Sequence, residues 1–520
     1  MFILTVSTLI ALAGLTLSLS LSRKSYFDAA SNVPNRGAVA SMDARCSRVG
    51  NEILAEGGNA ADARATDTGQ GMHLTGIGGG GMALVRDFRG YYEFLDFREI
   101  AFIAICRGRF EALNYYIRIM QACRNLGYWL LPSVLHGTAL DFAPNGTRLG
   151  LGDVLKRGRY ADTLQIISDE GPDAFYSGRI AETMVKAIRA AGGMMTLDDL
   201  RSYRAVPREA WAIDYGQYRV HGCGVPSGGT VALNILSVLK GYEGIGDVLN
   251  VNMTTHRLDE AMRFGYGLRT ELGDPDFGED VRNLQHMMLS KDMVSTIRGL
   301  ISDSYSLSLS VYNPKGLEVI DTHGTSHLSV ADSSGMAISL TSTINLLFGS
   351  YVMVPETGII MNNEMNDFSM PSDVSIFGPR ELGDKPSSAN YVQPGKRPLS
   401  SMNPVLVDFA ANDTFYVALG ASGSSRIITS VVQGLWYLLD RNMGLLEALR
   451  APRFHEQLSP NQTSYEWEYD NATVSFMEGR GHITGWLQNG SSIQAVRRLP
   501  NGTFEAAGEP RQQDSGGFAV

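Results

Sequence analysis

The chain reads as an α+β protein on two observations. First, the stretch Asp321–Ser350 holds two alternating runs: Ser326-Leu328-Val330 against His327-Ser329-Ala331, then Met336-Ile338-Leu340 against Ala337-Ser339-Thr341. Between them Asp332-Ser333-Ser334-Gly335 is turn chemistry, so the pair forms a β-hairpin. Second, apolar residues recur at helical spacing elsewhere, as Val231, Ile235, Val238 and Leu239, and again as Ile427, Ile428, Val431, Leu435 and Leu438. Antiparallel strands and helices in separate stretches define the class.

Composition narrows the function. With 520 residues and 44% hydrophobic content there is ample material for a large core. A net charge of −10 argues against nucleic acid as a partner. Cys46, Cys106, Cys123 and Cys223 are too few and too scattered for a disulfide scaffold or a zinc site.

Taken in order, Met1–Ser22 is one apolar run followed by Arg23-Lys24. It reads as a secretory signal or an anchor helix, since about 20 residues span a bilayer. With no Lys or Arg ahead of the run, an ordinary N-inside anchor is disfavoured. Sequons at Asn145, Asn252, Asn412, Asn461, Asn471, Asn489 and Asn501 agree with export.

Gly76-Ile77-Gly78-Gly79-Gly80-Gly81 formally satisfies a dinucleotide-binding pattern. No buried strand precedes it and Met82–Val85 after it reads as strand, so close backbone packing is the better account. Tyr91–Glu99 reads as a further strand, on which a lone Arg98 would ordinarily be a solvated surface residue. Helices follow at Ile180–Ala191, from Thr196 with Asp199 completing a capping box, at Val231–Lys240, and at His256–Leu272 before Gly273-Asp274-Pro275. His256 is scaffold, with no nucleophile to pair. Thr341 and Thr343 share one face at the hairpin's tail, and Ser342 the other. From pattern alone the hairpin is a Thr/Ser-rich edge pair, and Glu364 with Asp367 a solvated acidic loop. Thr429–Leu439 is an amphipathic helix whose start, after Gly420-Ala421-Ser422-Gly423-Ser424, offers N–H groups to an anion.

Several motifs change these weights. Gly324-Thr325-Ser326-His327-Leu328-Ser329, Thr341-Ser342-Thr343-Ile344-Asn345, Asn362-Asn363-Glu364-Met365-Asn366-Asp367-Phe368 and Pro394-Gly395-Lys396-Arg397-Pro398-Leu399-Ser400-Ser401-Met402 stand in this order. In order and approximate spacing they resemble the γ-glutamyltransferase (γ-glutamyl transpeptidase) family. Gly37–Ser41 and Asn51–Ala63 resemble the family's opening, a strand and then a helix closed by Gly57-Gly58. The resemblance weakens at 63–75 and stops between 101 and 142.

The resemblance implies a four-layer αββα N-terminal nucleophile (Ntn) hydrolase. Residues 1–22 are then a leader or anchor, 23–324 the larger part, and 325–520 a smaller part beginning at the nucleophile. It implies that the chain cuts itself before Thr325, leaving two fragments as a heterodimer. Thr325 would then take the γ-glutamyl group of glutathione and pass it to water or an amino-acid or dipeptide acceptor. Thr343 would position Thr325, while Gly423 and Ser424 bind the oxyanion. Arg98, Ser400 and Ser401 would hold the substrate α-carboxylate, Glu364 and Asp367 its ammonium, and Asn345 would also touch it. No metal or organic cofactor is implied, and the setting is the secretory pathway. The family usually has two glycines where Gly423-Ser424 stands, and Ser resists positive φ. Two readings stay open: a non-catalytic relative, and an Ntn acylase with another acyl group.

Overall fold

The computed structural model describes residues 35–64, 74–101, 137–150, 152–319, 324–370, 385–488 and 490–520. The apolar run 1–22, Cys106, Cys123, Asn489 and most of the stretch where the resemblance stops lie outside them. Strands in chain order are β1 Gly37–Ser41, β2 Gly80–Arg86, β3 Tyr92–Asp96, β4 Val206–Arg208, β5 Ala210–Tyr215, β6 Tyr218–Cys223, β7 Ser326–Asp332 and β8 Ala337–Thr343. Then come β9 Val405–Phe409, β10 Thr414–Ser422, β11 Phe454–His455, β12 Thr463–Glu466, β13 Thr484–Leu487, β14 Ser492–Arg498, β15 Phe504–Ala507 and β16 Gly516–Ala519. One antiparallel sheet has the order β16-β1-β7-β8-β2-β3-β4 and a second the order β15-β14-β10-β9-β6-β5. The helices used below are α1 Ala44–Ala55, α2 Arg179–Ala190, α3 Gly229–Leu239, α4 Val251–Arg269, α5 Arg426–Leu435 and α6 Asn471–Glu478.

Side-chain alternation explains the layers. On β7, Leu328 and Val330 turn outward and pack with Leu54 of α1. Ala331 and Ala337 turn inward and meet Leu406, Phe415, Ala418 and Val496 of the second sheet. That sheet's far face, with Val220, Val407 and Leu419, packs on α3, α4 and α5 through Val231, Leu258, Ile427 and Val431. The result is the αββα order. Among the described residues no helix is long and apolar enough to cross a membrane.

The hairpin forms as the alternation predicts, with Ser326 opposite Ser342 and Ala331 opposite Ala337. It is not an edge pair, because β1 flanks β7 and β2 flanks β8. Its hydroxyls are needed between the sheets. Ser339 Oγ donates to the Leu419 carbonyl at 3.0 Å, and Ser329 Oγ to that of Gln494 at 3.3 Å. His327 also lies in this layer, hydrogen-bonded to Thr341 Oγ1 (2.9 Å) and Ser329 Oγ (3.0 Å). Its ring sits where any side chain at Gly420 would be, 2.2 Å from a Cβ built there.

Helix positions follow their periodicity and the ends differ by a few residues. The predicted helix at 256–272 starts earlier and stops before Gly273, as α4. The one at 429–439 begins at Arg426 and ends in a π turn, Trp436–Asp440. In the opening, α1 starts at Ala44 behind an Asp43 cap, well before Asn51. The Thr196–Asp199 capping box is present. At Gly78 and Gly79 a Cβ would stand 2.0 Å from the carbonyl oxygens of Ile360 and Thr343, which fits the packing account of the glycine run.

Candidate active site

The open end of the hairpin brings Thr325, at the head of β7, beside Thr343, at the tail of β8. Gly324 just before has φ +56°, and a Cβ there would lie 2.1 Å from the Asn345 carbonyl oxygen, so this position admits only glycine. Thr343 Oγ1 donates to the Gly324 carbonyl at 2.6 Å and accepts the Asn345 N–H at 2.7 Å. Opposite them, β10 is followed directly by Gly423, whose N–H donates to Thr325 Oγ1 at 3.3 Å. Ser424 follows at φ +64°, the left-handed region, and α5 begins two residues later. The nucleophile candidate is buried, with 6% of its surface exposed.

Asn345, itself at φ +72°, joins this end to a charged one. Its Nδ2 donates to Asp367 Oδ1 at 2.9 Å. The other Asp367 oxygen receives Arg98 Nη2, while Arg98 Nη1 lies 2.5 Å from Glu364 Oε2. Arg98 Nε reaches the Pro398 carbonyl at 3.4 Å. Arg98, Glu364 and Asp367 are buried, so neither the surface-arginine reading nor the solvated acidic loop survives. Three-residue spacing on a short 3₁₀ turn, Glu364–Asp367, turns both acids onto one guanidinium.

Electrostatics sharpen the picture. Burial drives the Glu364 carboxyl well above its usual range, and Arg98 only partly restrains it. Burial also opposes charge on Arg98, but Glu364 and Asp367 hold its proton more firmly than usual. Glu99, which the sequence reading left without a role, is pushed up to about 7 by burial, with Arg98 pulling the other way. Its oxygens have no hydrogen-bond partner, and Arg98 Nη1 is 3.8 Å away. A cavity of about 530 Å³ opens against Glu99 and Glu364, walled by Phe97, Tyr203, Met361 and Phe368.

Ser400 and Ser401 follow Pro398, whose carbonyl Arg98 Nε reaches. Ser400 Oγ accepts the Met402 N–H at 3.1 Å, and Ser401 Oγ accepts Arg269 Nη2 at 3.0 Å. Of the predicted residues, Thr325, Thr343, Gly423 and Ser424 therefore stand together, Arg98, Asn345, Glu364 and Asp367 stand together, and Ser400 and Ser401 follow Pro398, whose carbonyl Arg98 reaches. Glu99 is the addition. Its signal was adjacency to Arg98 at the end of a strand.

Two antiparallel sheets face to face between helices, with a threonine heading a central strand, define the Ntn hydrolase class. The fold matches that of the cephalosporin acylase from Bacillus halodurans, with a TM-score of 0.73 and 22% identity, covering 96% of this chain and 99% of that one. The family model described as Gamma-glutamyltranspeptidase matches residues 46–115 and 103–519. A glutathione hydrolase proenzyme of Arthroderma benhamiae is 43% identical over 547 aligned residues, 93% of each chain. A glutathione hydrolase of Aspergillus flavus is 40% identical over 545, covering 95% of this chain and 91% of that one. The chain belongs to the γ-glutamyltranspeptidase family, and its activity is γ-glutamyl transfer and hydrolysis.

Proposed function

We propose that the chain is a self-cutting glutathione hydrolase and γ-glutamyl transferase that works through Thr325. The observation that carries this is the geometry around one peptide bond. Thr343 donates a 2.6 Å hydrogen bond to the Gly324 carbonyl, and the Gly423 N–H touches the Thr325 hydroxyl oxygen. The first contact polarises the carbonyl, and the second steadies an oxygen gaining negative charge. Thr325 Oγ attacks that carbonyl carbon, the C–N bond breaks, and the hydroxyl proton ends on the freed amine. Water hydrolyses the resulting ester. Thr325 is then an N-terminus whose amine, with a reference pKa of about 8, serves as general base near neutral pH.

In the mature site the same oxygen attacks the γ-glutamyl amide carbonyl of glutathione. The N–H groups of Gly423 and Ser424 receive the oxyanion, and the amine leaves with the proton that the Thr325 amine took up. Water or an amino-acid or dipeptide acceptor resolves the acyl-enzyme. Arg98, with Ser400 and Ser401, takes the substrate α-carboxylate. Glu364, Asp367 and Asn345 take the ammonium. An incoming zwitterion suits a cluster in which one guanidinium already faces several acids, because it brings a cation and an anion together. The two fragments stay together as a heterodimer. The apolar run 1–22 and the sequons support a place in the secretory pathway, whether secreted, vacuolar or anchored with the site outside the cytosol.

Denaturing electrophoresis tests the central step. Wild type should give fragments of 324 residues, less any leader, and 196 residues. Thr325→Ala should run as one uncut chain and release no γ-glutamyl product, because both steps use one hydroxyl. A mutant still split between Gly324 and Thr325 would falsify the mechanism.

A further inference from the structure

Far from Thr325 in sequence, α4 carries His256 and Glu260 four residues apart, hence on one helical face. His482, just after α6, lies against them. All three are buried, and His256 Nδ1, His482 Nε2 and one Glu260 oxygen lie within 4.8 Å of one another.

What makes this more than a polar cluster is how each group is held from behind. His256 Nε2 is 2.7 Å from the Ser302 carbonyl oxygen, which can only accept, so that nitrogen carries the hydrogen. His482 Nδ1 faces the Asp259 carboxylate, 3.1 Å from Oδ1, an ion-pair distance without hydrogen-bond alignment. Glu260 Oε2 receives the Tyr312 hydroxyl at 2.7 Å. The outer atoms of His256 and Glu260 are thus hydrogen-bonded and that of His482 faces a carboxylate, which leaves His256 Nδ1, His482 Nε2 and Glu260 Oε1 turned towards one another. His256 Nδ1 and His482 Nε2 are 2.8 Å apart, His482 Nε2 is 3.9 Å from Glu260 Oε1, and that oxygen has no hydrogen-bond partner. Two imidazole nitrogens at 2.8 Å need a proton or a metal ion between them, and the unpartnered Glu260 Oε1 beside them adds a third ligand that a shared proton does not use. Imidazoles oriented by a carbonyl or a carboxylate are the usual support of metal-bound histidines. Arg263 pairs with Asp259 at 2.9 Å and Glu456 at 2.8 Å, and among the described residues Glu260 has no Arg or Lys ion-pair partner.

We propose that His256 Nδ1, His482 Nε2 and Glu260 Oε1 bind a structural divalent cation of the zinc class. Two nitrogens and one carboxylate oxygen suit zinc, whose ligand atoms stand about 3.3 Å apart in a tetrahedron with bonds near 2.05 Å. The two histidines need only separate slightly. If the chain is cut before Thr325, as proposed above, His256 and Glu260 belong to one fragment and His482 to the other, so the ion also pins the halves together. The sequence alone could not join these residues, which are over 200 positions apart.

The test is metal content and local geometry on purified full-length protein, stripped with chelator and returned to zinc sulfate alone. Wild type should hold about one zinc per chain, show nitrogen and oxygen neighbours at about 2.0–2.1 Å by X-ray absorption, and melt at a lower temperature after stripping. Glu260→Gln keeps an acceptor for Tyr312 and should fold, yet its zinc content should drop at least tenfold; His482→Ala should do the same. A wild type that holds no zinc after supplementation and melts alike with and without chelator overturns the site, as does full zinc retention in both variants. If neither variant folds, the wild-type stripping and absorption measurements decide alone. Metal content is read without substrate, so a chain that binds zinc but stays uncut refutes only the Thr325 reading.

Discussion

At one end of the site Thr325, Thr343 and the Gly423 N–H are neutral groups, placed by strand ends and by backbone at positive φ. At the other end Arg98, Glu99, Glu364 and Asp367 bear formal charge in a buried space beside a cavity. Under the proposed function the difference separates two tasks. Bond breaking needs short, fixed contacts to atoms whose charge develops only in the transition state. Recognition of a zwitterion needs charge present beforehand, and a protein tolerates that surplus only where a ligand comes to balance it. Asn345 touches both ends, through its N–H to Thr343 and its amide to Asp367.

This division can be broken most severely at the neutral end. Thr343→Val removes the donor to the Gly324 carbonyl, and a well-aimed donor is worth roughly a hundredfold in rate. Self-cutting should slow by about that factor, followed as precursor decay on gels; an unchanged rate would remove Thr343 from the step. At the charged end, Arg98→Ala should raise KM roughly tenfold or more, since a charge-assisted contact is worth about 1.5–3 kcal/mol. Cutting should continue in that variant. If it stops, the two ends are not separable.

A gentler probe is pH. The Glu99 carboxyl is raised to about 7, so it is neutral below that value and ionised above it. Its negative charge, once present, favours the substrate ammonium. KM should therefore rise as pH falls through about 7, and Glu99→Gln should flatten that arm while leaving the kcat profile in place. A wild-type KM constant from pH 6 to 8, roughly one unit either side of that value, removes Glu99 from recognition. The smallest effect is expected at Ser424. A side chain at φ +64° costs about 1–2 kcal/mol, partly offset because glycine loses more entropy on folding. Ser424→Gly should raise turnover by less than about tenfold at unchanged KM. If turnover stays level, the serine is a tolerated variant.

Much of the local structure was legible, because it depends on local periodicity. The hairpin needed only the alternation around Asp332–Gly335, and α5 only Ile427, Ile428, Val431 and Leu435 at helical spacing. What failed was anything decided by distant chain. Ser329 and Ser339 looked like an edge because their acceptors, the carbonyls of Gln494 and Leu419, arrive on another sheet. Glu364 and Asp367 looked solvated because Arg98, their counter-charge, lies far upstream. The motif resemblance named Arg98, Glu364 and Asp367 but assigned Glu99 nothing, although burial raises that carboxyl against the pull of Arg98.

The order of strands has one more consequence. β1, from the first part of the chain, lies between β16 and β7 of the second, while β2 pairs with β8 and β6 with β9. The proposed nick before Thr325 would therefore open the chain without freeing either piece, since the halves are woven through both sheets. Before the nick, refolding is an event within one molecule. Afterwards two partners must meet and interleave, each lacking the neighbours that complete its sheets. Under the proposed cut, maturation would act as a ratchet, with the lifetime of the nicked protein set by how slowly the weave opens rather than by how well it re-forms.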